Sequence, residues 1–109
     1  MILSNITFCV DKAISPAFVD FLRNVFIPAS DAEGLHSHLV SEVRVPSEEG
    51  EENPARTFAL QMRAPSEETL EKFNSDTLPR LLNEAHSRWG MGVATFATTL
   101  DIVHDPAKK

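Results

Sequence analysis

The stretch SEETLEKFNSDTLPRLLNEAHSRWGMGVATFATTLDIV, residues 66–103, decides the fold because its hydrophobic period changes once along its length. Its first part repeats every three or four residues, which places the repeating side chains on one face of a helix. Those residues are Leu70, Phe73, Thr77, Leu81, Ala85 and Trp89. After a glycine turn at Gly90 to Gly92, the period falls to two, as in a strand. The stretch therefore predicts a helix followed by a strand.

Two prolines interrupt helical patterns in this chain. Pro79 would remove one backbone hydrogen bond and clash with the preceding turn of its helix. Because Asp76 can cap a new helix start, we expect two helical segments with a break before Pro79. An earlier helix starts at Ser15 and Pro16, and we expect it to end at Pro28.

The rest of the chain supplies one strand before that earlier helix and two strands after it. The strand patterns are Ile2 to Asp11, Leu39 to Val45 and Thr57 to Met62. The order is then βαββαβ, which predicts an α+β, ferredoxin-like fold with a four-stranded antiparallel sheet and two helices on one face. We expect a single domain over residues 1–109, with an exposed hairpin loop at 46–54 and a tail at 105–109.

Alternation along each strand predicts which residues face the helices. The predicted helix-facing residues are Ile6, Phe8, Val10, Val43, Val45, Phe58, Leu60, Met62, Phe96, Leu100 and Ile102. The predicted opposite face holds Asn5, Thr7, Cys9, Val40, Glu42, Arg44, Thr57, Ala59, Gln61, Val93, Thr95, Ala97, Thr99 and Asp101. Few charges lie at the centre of this second face, which indicates that something covers it. A second copy packed by a two-fold axis would do so, giving a dimeric α+β barrel; the alternative is a monomer with an uncharged wet face.

Composition narrows the classes of partner. Sixteen acidic and ten basic residues give a net charge of −6, which opposes binding to nucleic acid or to anionic membranes and leaves a small neutral or cationic ligand open. No run is apolar over the length that spans a membrane, and we see no secretory signal. A single cysteine, Cys9, fits a reducing compartment, so we expect a cytoplasmic protein.

Several segments resemble an uncharacterised bacterial family of domains of unknown function. The matching residues are Asn5, Thr7, Val10, Asp11, Lys12, Ile27, Pro28, Pro79, Leu81, Glu84, Trp89, Gly90, Phe96, Thr98 and Leu100. That family is similar to the dimeric α+β barrel superfamily, which includes small monooxygenases and haem-degrading enzymes. It commonly has histidines where Phe26 and Ala85 stand in this chain. The resemblance therefore implies a fold and transfers no catalytic residue.

The chemical candidates are few. His36 and His38 could share one side of an extended segment, but no third ligand accompanies them, so we predict a surface pair and no metal site. Cys9 in a central strand suggests a buried, inert thiol. The predicted ligand-binding residues lie inside the expected dimer, where each could instead contact the partner; they are Asn5, Thr7, Arg44, Gln61 and Thr95.

These observations favour a homodimeric module that binds a small ligand or a partner, without a cofactor. The alternative is a small dimeric-barrel enzyme of the monooxygenase or haem-degrading type. An enzyme would need a convergent acid, base or haem-ligating histidine, and the predicted interior offers mainly amide and hydroxyl groups.

Overall fold

The computed structural model describes residues 2–44 and 55–103 and contains one sheet and two helical runs. The strands are β1 (Ile2–Asp11), β2 (His36–Val43), β3 (Ala55–Ala64) and β4 (Val93–Asp101). The helices are α1 (Ser15–Phe21), α2 (Ile27–Ala32), α3 (Glu67–Lys72) and α4 (Leu78–Trp89). The predicted hairpin loop at 46–54 and the tail at 105–109 lie outside the described residues.

The sheet has the order β2-β3-β1-β4, and every neighbouring pair is antiparallel. Together with the two helical runs, this order confirms the predicted α+β, ferredoxin-like fold. The two central strands carry the most regular alternation of buried and half-buried residues. Alternation of that kind is expected where one side of a strand packs under helices.

The core lies between the sheet and the helices and contains a cluster of contacting aromatic rings. Phe18 of α1 is fully buried, with its ring centroid 5.0 Å from that of Phe8 and 5.6 Å from that of Trp89. Phe26 and Phe73 join the two helical runs, with ring centroids 6.3 Å apart. The predicted helix-facing residues of β1 and β3 all lie in this core, which confirms the predicted faces of the central strands.

Both helical runs continue through their prolines, so the expected end at Pro28 and the expected break before Pro79 are wrong. Each proline follows a π-turn, Leu22–Phe26 in the first run and Phe73–Thr77 in the second. The amide of Ile27 bonds to the carbonyl of Leu22, and Leu78 bonds to Phe73 in the same five-residue pattern. A wider turn gives the proline ring the space that an α-helical turn denies it. Asp76 lies within the second π-turn and does not cap a helix.

The two edge strands present the opposite faces from those predicted. In β4, Thr95 pairs with the buried Phe8, so it lies on the helix side and Phe96 on the other. In β2, Val40 pairs with the buried Leu60 and likewise lies on the helix side. Predicted to face the helices but found on the other face are Val43, Phe96 and Leu100. Found on the helix side instead are Val40, Glu42, Val93, Thr95, Ala97, Thr99 and Asp101.

The reason for this reversal is that the helices do not reach across both edge strands. Ala97, Thr99 and Glu42 lie on the helix side and are nevertheless exposed. A position that no helix covers has no need of a large apolar side chain. The larger side chains of the edge strands are therefore free to lie on the face away from the helices.

Candidate functional site on the open sheet face

The open face is the side of the sheet that the helices leave uncovered, and backbone pairing arranges it in four cross-strand rows. In the order β2, β3, β1, β4, the rows are His36, Arg63, Leu3, Leu100; Leu39, Gln61, Asn5, Thr98; Ser41, Ala59, Thr7, Phe96; and Val43, Thr57, Cys9, Ala94. On β4, the four rows run from Leu100 at one end to Ala94 at the other. The open face thus consists mainly of small, polar uncharged and apolar residues.

Large apolar side chains lie along both edges of the open face. Phe96 is 69% exposed and Leu39 is 56% exposed, while Val43 and Leu100 are exposed by 42% and 41%. We call these four residues the apolar rim. Four exposed apolar residues on one sheet face are characteristic of a surface that another molecule covers.

Polar, uncharged side chains lie between the two sides of the apolar rim. Gln61, Asn5 and Thr98 are cross-strand neighbours, all half-buried, and we call them the polar row. Asn5 Nδ2 donates a 3.4 Å hydrogen bond to Thr7 Oγ1, which holds the two side chains together. In the described part of the chain, the side chains of Gln61 and Thr98 make no hydrogen bond. Their hydrogen-bonding groups are available to water, a partner or a ligand.

The structure brings together three of the five predicted ligand-binding residues. Asn5, Thr7 and Gln61 lie side by side at the centre of the open face. Arg44 follows the end of β2 and is exposed, away from the polar row. Thr95 lies on the helix side with a buried Oγ1 that has no hydrogen-bond partner among the described residues, so its predicted place on the open face is wrong.

The alternation in β4 predicts Val93, Thr95, Ala97, Thr99 and Asp101 on this face, but the pairing with β1 places the other residues of the strand there. Phe96 and Thr98 belong to the open face, and their alternation with the smaller Ala97 was visible in the sequence. The pattern showed that they share a face, but only the pairing with β1 shows which one.

Cys9 lies on the open face and is exposed in one chain, so the expected burial of the thiol within its own chain is wrong. It is odd-numbered in β1, where the even-numbered residues face the helices. Exposure makes this single thiol a direct reporter of whether the open face is covered.

His36 and His38 do not form a pair on one side of the strand. Ser37 between them has a φ of 57°, and the pairing of β2 with β3 shifts register at this point. His36 is the backbone partner of Arg63 on the open face, whereas His38 Nε2 lies 2.7 Å from the Oγ of Ser30 in α2. The local bulge thus directs the two imidazoles to opposite sides.

His38 is held in one tautomer by its neighbours. The buried Oγ of Ser30 donates a 2.8 Å hydrogen bond to the carbonyl of Ile27, so it accepts a hydrogen bond from the N–H at His38 Nε2. Burial lowers the pKa of His38, with a smaller contribution from His36, while Asp31 acts in the opposite direction. His38 therefore serves as a neutral structural link between β2 and α2.

This link predicts a pH dependence of stability. Because the pKa of His38 is lower in the folded protein than in the unfolded chain, its favourable contribution is present above about pH 6.5 and is lost as the pH falls below that value. We expect the free energy of unfolding to fall more steeply from pH 7 to pH 5 in the parent than in His38→Gln, whose amide can still donate to Ser30. Urea unfolding at a series of pH values measures this; parallel profiles for the two proteins would contradict the role of His38.

Other kinds of candidate site in the described residues would be metal-ligand clusters, clefts and membrane-spanning helices. Within residues 2–44 and 55–103, no three His, Cys, Asp or Glu side chains are placed to hold a metal ion. A cleft of about 400 Å³ near the end of β4 is lined in part by Glu67, Glu71 and Asp101, away from the polar row. None of the helices in the described segments combines the length and hydropathy needed to span a bilayer.

Phe26 and Ala85, where the resemblance implies histidines in other members of the family, are in the core of this protein. Phe26 and Ala85 are 0% and 1% exposed, and neither lies on the open face. His86, beside Ala85, is exposed on α4. These positions therefore contribute nothing to the candidate site.

Solved structures share this fold at low sequence identity. A dimeric ferredoxin-like protein from an uncultured marine organism is 12% identical, with a TM-score of 0.67 over 95% of this chain and 97% of that one. A presumed antibiotic biosynthesis monooxygenase from Deinococcus radiodurans is 15% identical, with a TM-score of 0.67 over 96% and 95%. An ethyl tert-butyl ether D (EthD) family protein from Bacillus halodurans is 15% identical, with a TM-score of 0.59 over 94% and 100%.

Sequence comparison places the chain in a family without an assigned activity. No curated protein matches the chain. The model of a domain of unknown function, DUF4286, matches residues 1–103, nearly the whole chain. This match confirms the resemblance noted in the sequence. The chain therefore belongs to the DUF4286 family of domains of unknown function.

Proposed function

We propose that this protein is a cytoplasmic homodimer in which two open faces pack together and enclose a binding site for a small molecule or a partner segment. The apolar rim is the observation that carries the proposal. Phe96, Leu39, Val43 and Leu100 remain 41 to 69% exposed in one chain, although they flank the half-buried polar row. Burying such side chains is favourable by roughly 1 kcal/mol or more for each.

The arrangement of the open face suits a symmetric interface. A two-fold axis packs the same surface of each copy against the other, so the surface must be self-complementary and must avoid like charges at its centre. The inner two rows, from Leu39 to Thr98 and from Ser41 to Phe96, contain no ionisable residue. The similar fold of a protein described as dimeric and ferredoxin-like supports the same proposal.

The polar row favours binding over catalysis as the role of the enclosed space. The alternative enzyme, a monooxygenase, requires an acid, a base or another reactive group beside the substrate. Asn5, Thr7, Gln61 and Thr98 offer amides and hydroxyls, which orient a ligand but transfer no proton near neutral pH. We therefore propose a binding module.

Light scattering across a concentration series tests the dimer. We expect a mass twice that of one chain at micromolar concentration, falling toward one chain on dilution. Circular dichroism at each end of the series checks that the protein remains folded. A folded protein that stays at the mass of one chain up to millimolar concentration would overturn the proposal.

A further inference from the structure

We infer that the site between the two open faces takes a neutral ligand that carries an amide, carbonyl or hydroxyl group beside an aromatic or aliphatic one. This inference rests on the proposed dimer and identifies the chemical class of its ligand. The site is incomplete in one chain, because the polar row of each copy forms only one wall.

The polar row has hydrogen-bonding groups without a partner among the described residues of one chain. Gln61 offers two donors and an acceptor, and Thr98 offers one of each, while neither is bonded within the described segments. Buried polar groups are nearly always hydrogen-bonded, so packing under a second sheet requires a new partner for them. In the two-fold dimer, two polar rows need hydrogen-bond partners. A ligand group that both donates and accepts hydrogen bonds can supply them.

The inner two rows of the open face carry no charge. A buried ion without a counter-charge is strongly disfavoured, and neither the polar row nor Thr7 supplies a counter-charge. The basic residues of the open face, His36 and Arg63, are cross-strand neighbours in one of its two outer rows. A ligand centred on Asn5 is therefore selected for neutrality, even though the net charge of −6 favours cations at long range.

Apolar side chains of the open face can contact the apolar part of the ligand. Phe96 is the cross-strand neighbour of Thr7, and Leu39 is the neighbour of Gln61, so apolar surface adjoins the polar groups on both sides. A ring on the ligand can pack against Phe96 while its polar substituent reaches the polar row. This juxtaposition of apolar and amide groups defines the ligand class.

Three probes of similar size and different charge test the inference: benzamide, benzoate and benzylamine. Each is titrated into ¹⁵N-labelled parent protein at a concentration at which light scattering shows a dimer. We expect benzamide to shift the side-chain amide signals of Asn5 and Gln61 in a saturable manner, with an affinity at least tenfold higher than that of either charged probe. Tightest binding by benzoate, which would indicate an anion site near Arg63, overturns the inference, and so do equal binding of all three probes and no binding at all.

Neighbouring threonines provide a matched pair of variants. Thr98→Val removes a hydroxyl from the open face, whereas Thr99→Val removes one from the helix side of the same strand. We expect Thr98→Val to weaken benzamide binding at least threefold and Thr99→Val to leave it unchanged, with both variants still dimeric. Equal affinities in the two variants would contradict a role for the polar row.

Failure of this inference can be told apart from failure of the proposed dimer. A parent that is dimeric but does not prefer benzamide overturns the ligand class and leaves the dimer standing. A folded parent with the mass of one chain overturns the dimer, and the inference falls with it.

Discussion

Replacing Phe96 with glutamate is expected to convert the dimer into folded monomers. Phe96 is the most exposed member of the apolar rim, at 69%, and it borders Thr7 at the centre of the open face. An unpaired carboxylate buried at this position costs about 3 kcal/mol in each copy. Because the two-fold axis buries one such carboxylate from each chain, the dissociation constant of the dimer should rise on the order of ten-thousand-fold. Sedimentation velocity measures the mass, and circular dichroism confirms that the variant is folded.

Ala97→Glu is the matched control for Phe96→Glu. Ala97 is the next residue of β4, is also exposed, and lies on the helix side of the sheet. The same charge added there should leave the dimer intact. If Ala97→Glu dissociates the dimer while Phe96→Glu does not, the open face is not the interface.

Replacing Phe18 with alanine is expected to produce the largest loss of stability. The side chain is fully buried, and its ring contacts those of Phe8, Phe21, Phe58 and Trp89. A cavity of this kind costs about 3–5 kcal/mol, a large share of the typical stability of a domain. We expect the melting temperature to fall by more than about 10 °C.

Thermal unfolding at one fixed protein concentration measures the effect of Phe18→Ala, since dimer formation makes stability depend on concentration. Met91→Ala is the control because Met91 is 99% exposed, and its replacement should change the free energy of unfolding by less than about 0.5 kcal/mol. A Phe18→Ala protein as stable as the Met91→Ala control would contradict the described core.

The central strands were predictable from the sequence because their environment imposes a strict alternation. Phe8 of β1 and Leu60 of β3 lie under the helices. A shift of either strand by one residue would place polar neighbours in the core instead. The same constraint fixed Asn5, Thr7 and Gln61 on the open face. The face on which these three residues lie was therefore predicted correctly, and their role in binding a ligand stays a prediction.

The edge strands and the π-turns could not be predicted in the same way. Phe96 and Ala97 are both exposed in one chain, so neither face of β4 imposes a strict preference there. The rule that large apolar residues face the helices fails where the helices do not reach. Similarly, Pro28 and Pro79 signal a disturbed helix, but a break and a π-turn relieve the same clash.

The reactivity of Cys9 tests most directly whether a second copy covers the open face. Cys9 is the single cysteine of the chain, and its thiol is exposed on that face. We expect the rate of labelling by a thiol reagent under native conditions to fall as the protein is concentrated into the dimer. Phe96→Glu should be labelled rapidly at every concentration, and Ala97→Glu should behave as the parent does. A dimeric parent whose thiol is labelled as fast as that of Phe96→Glu would contradict the account.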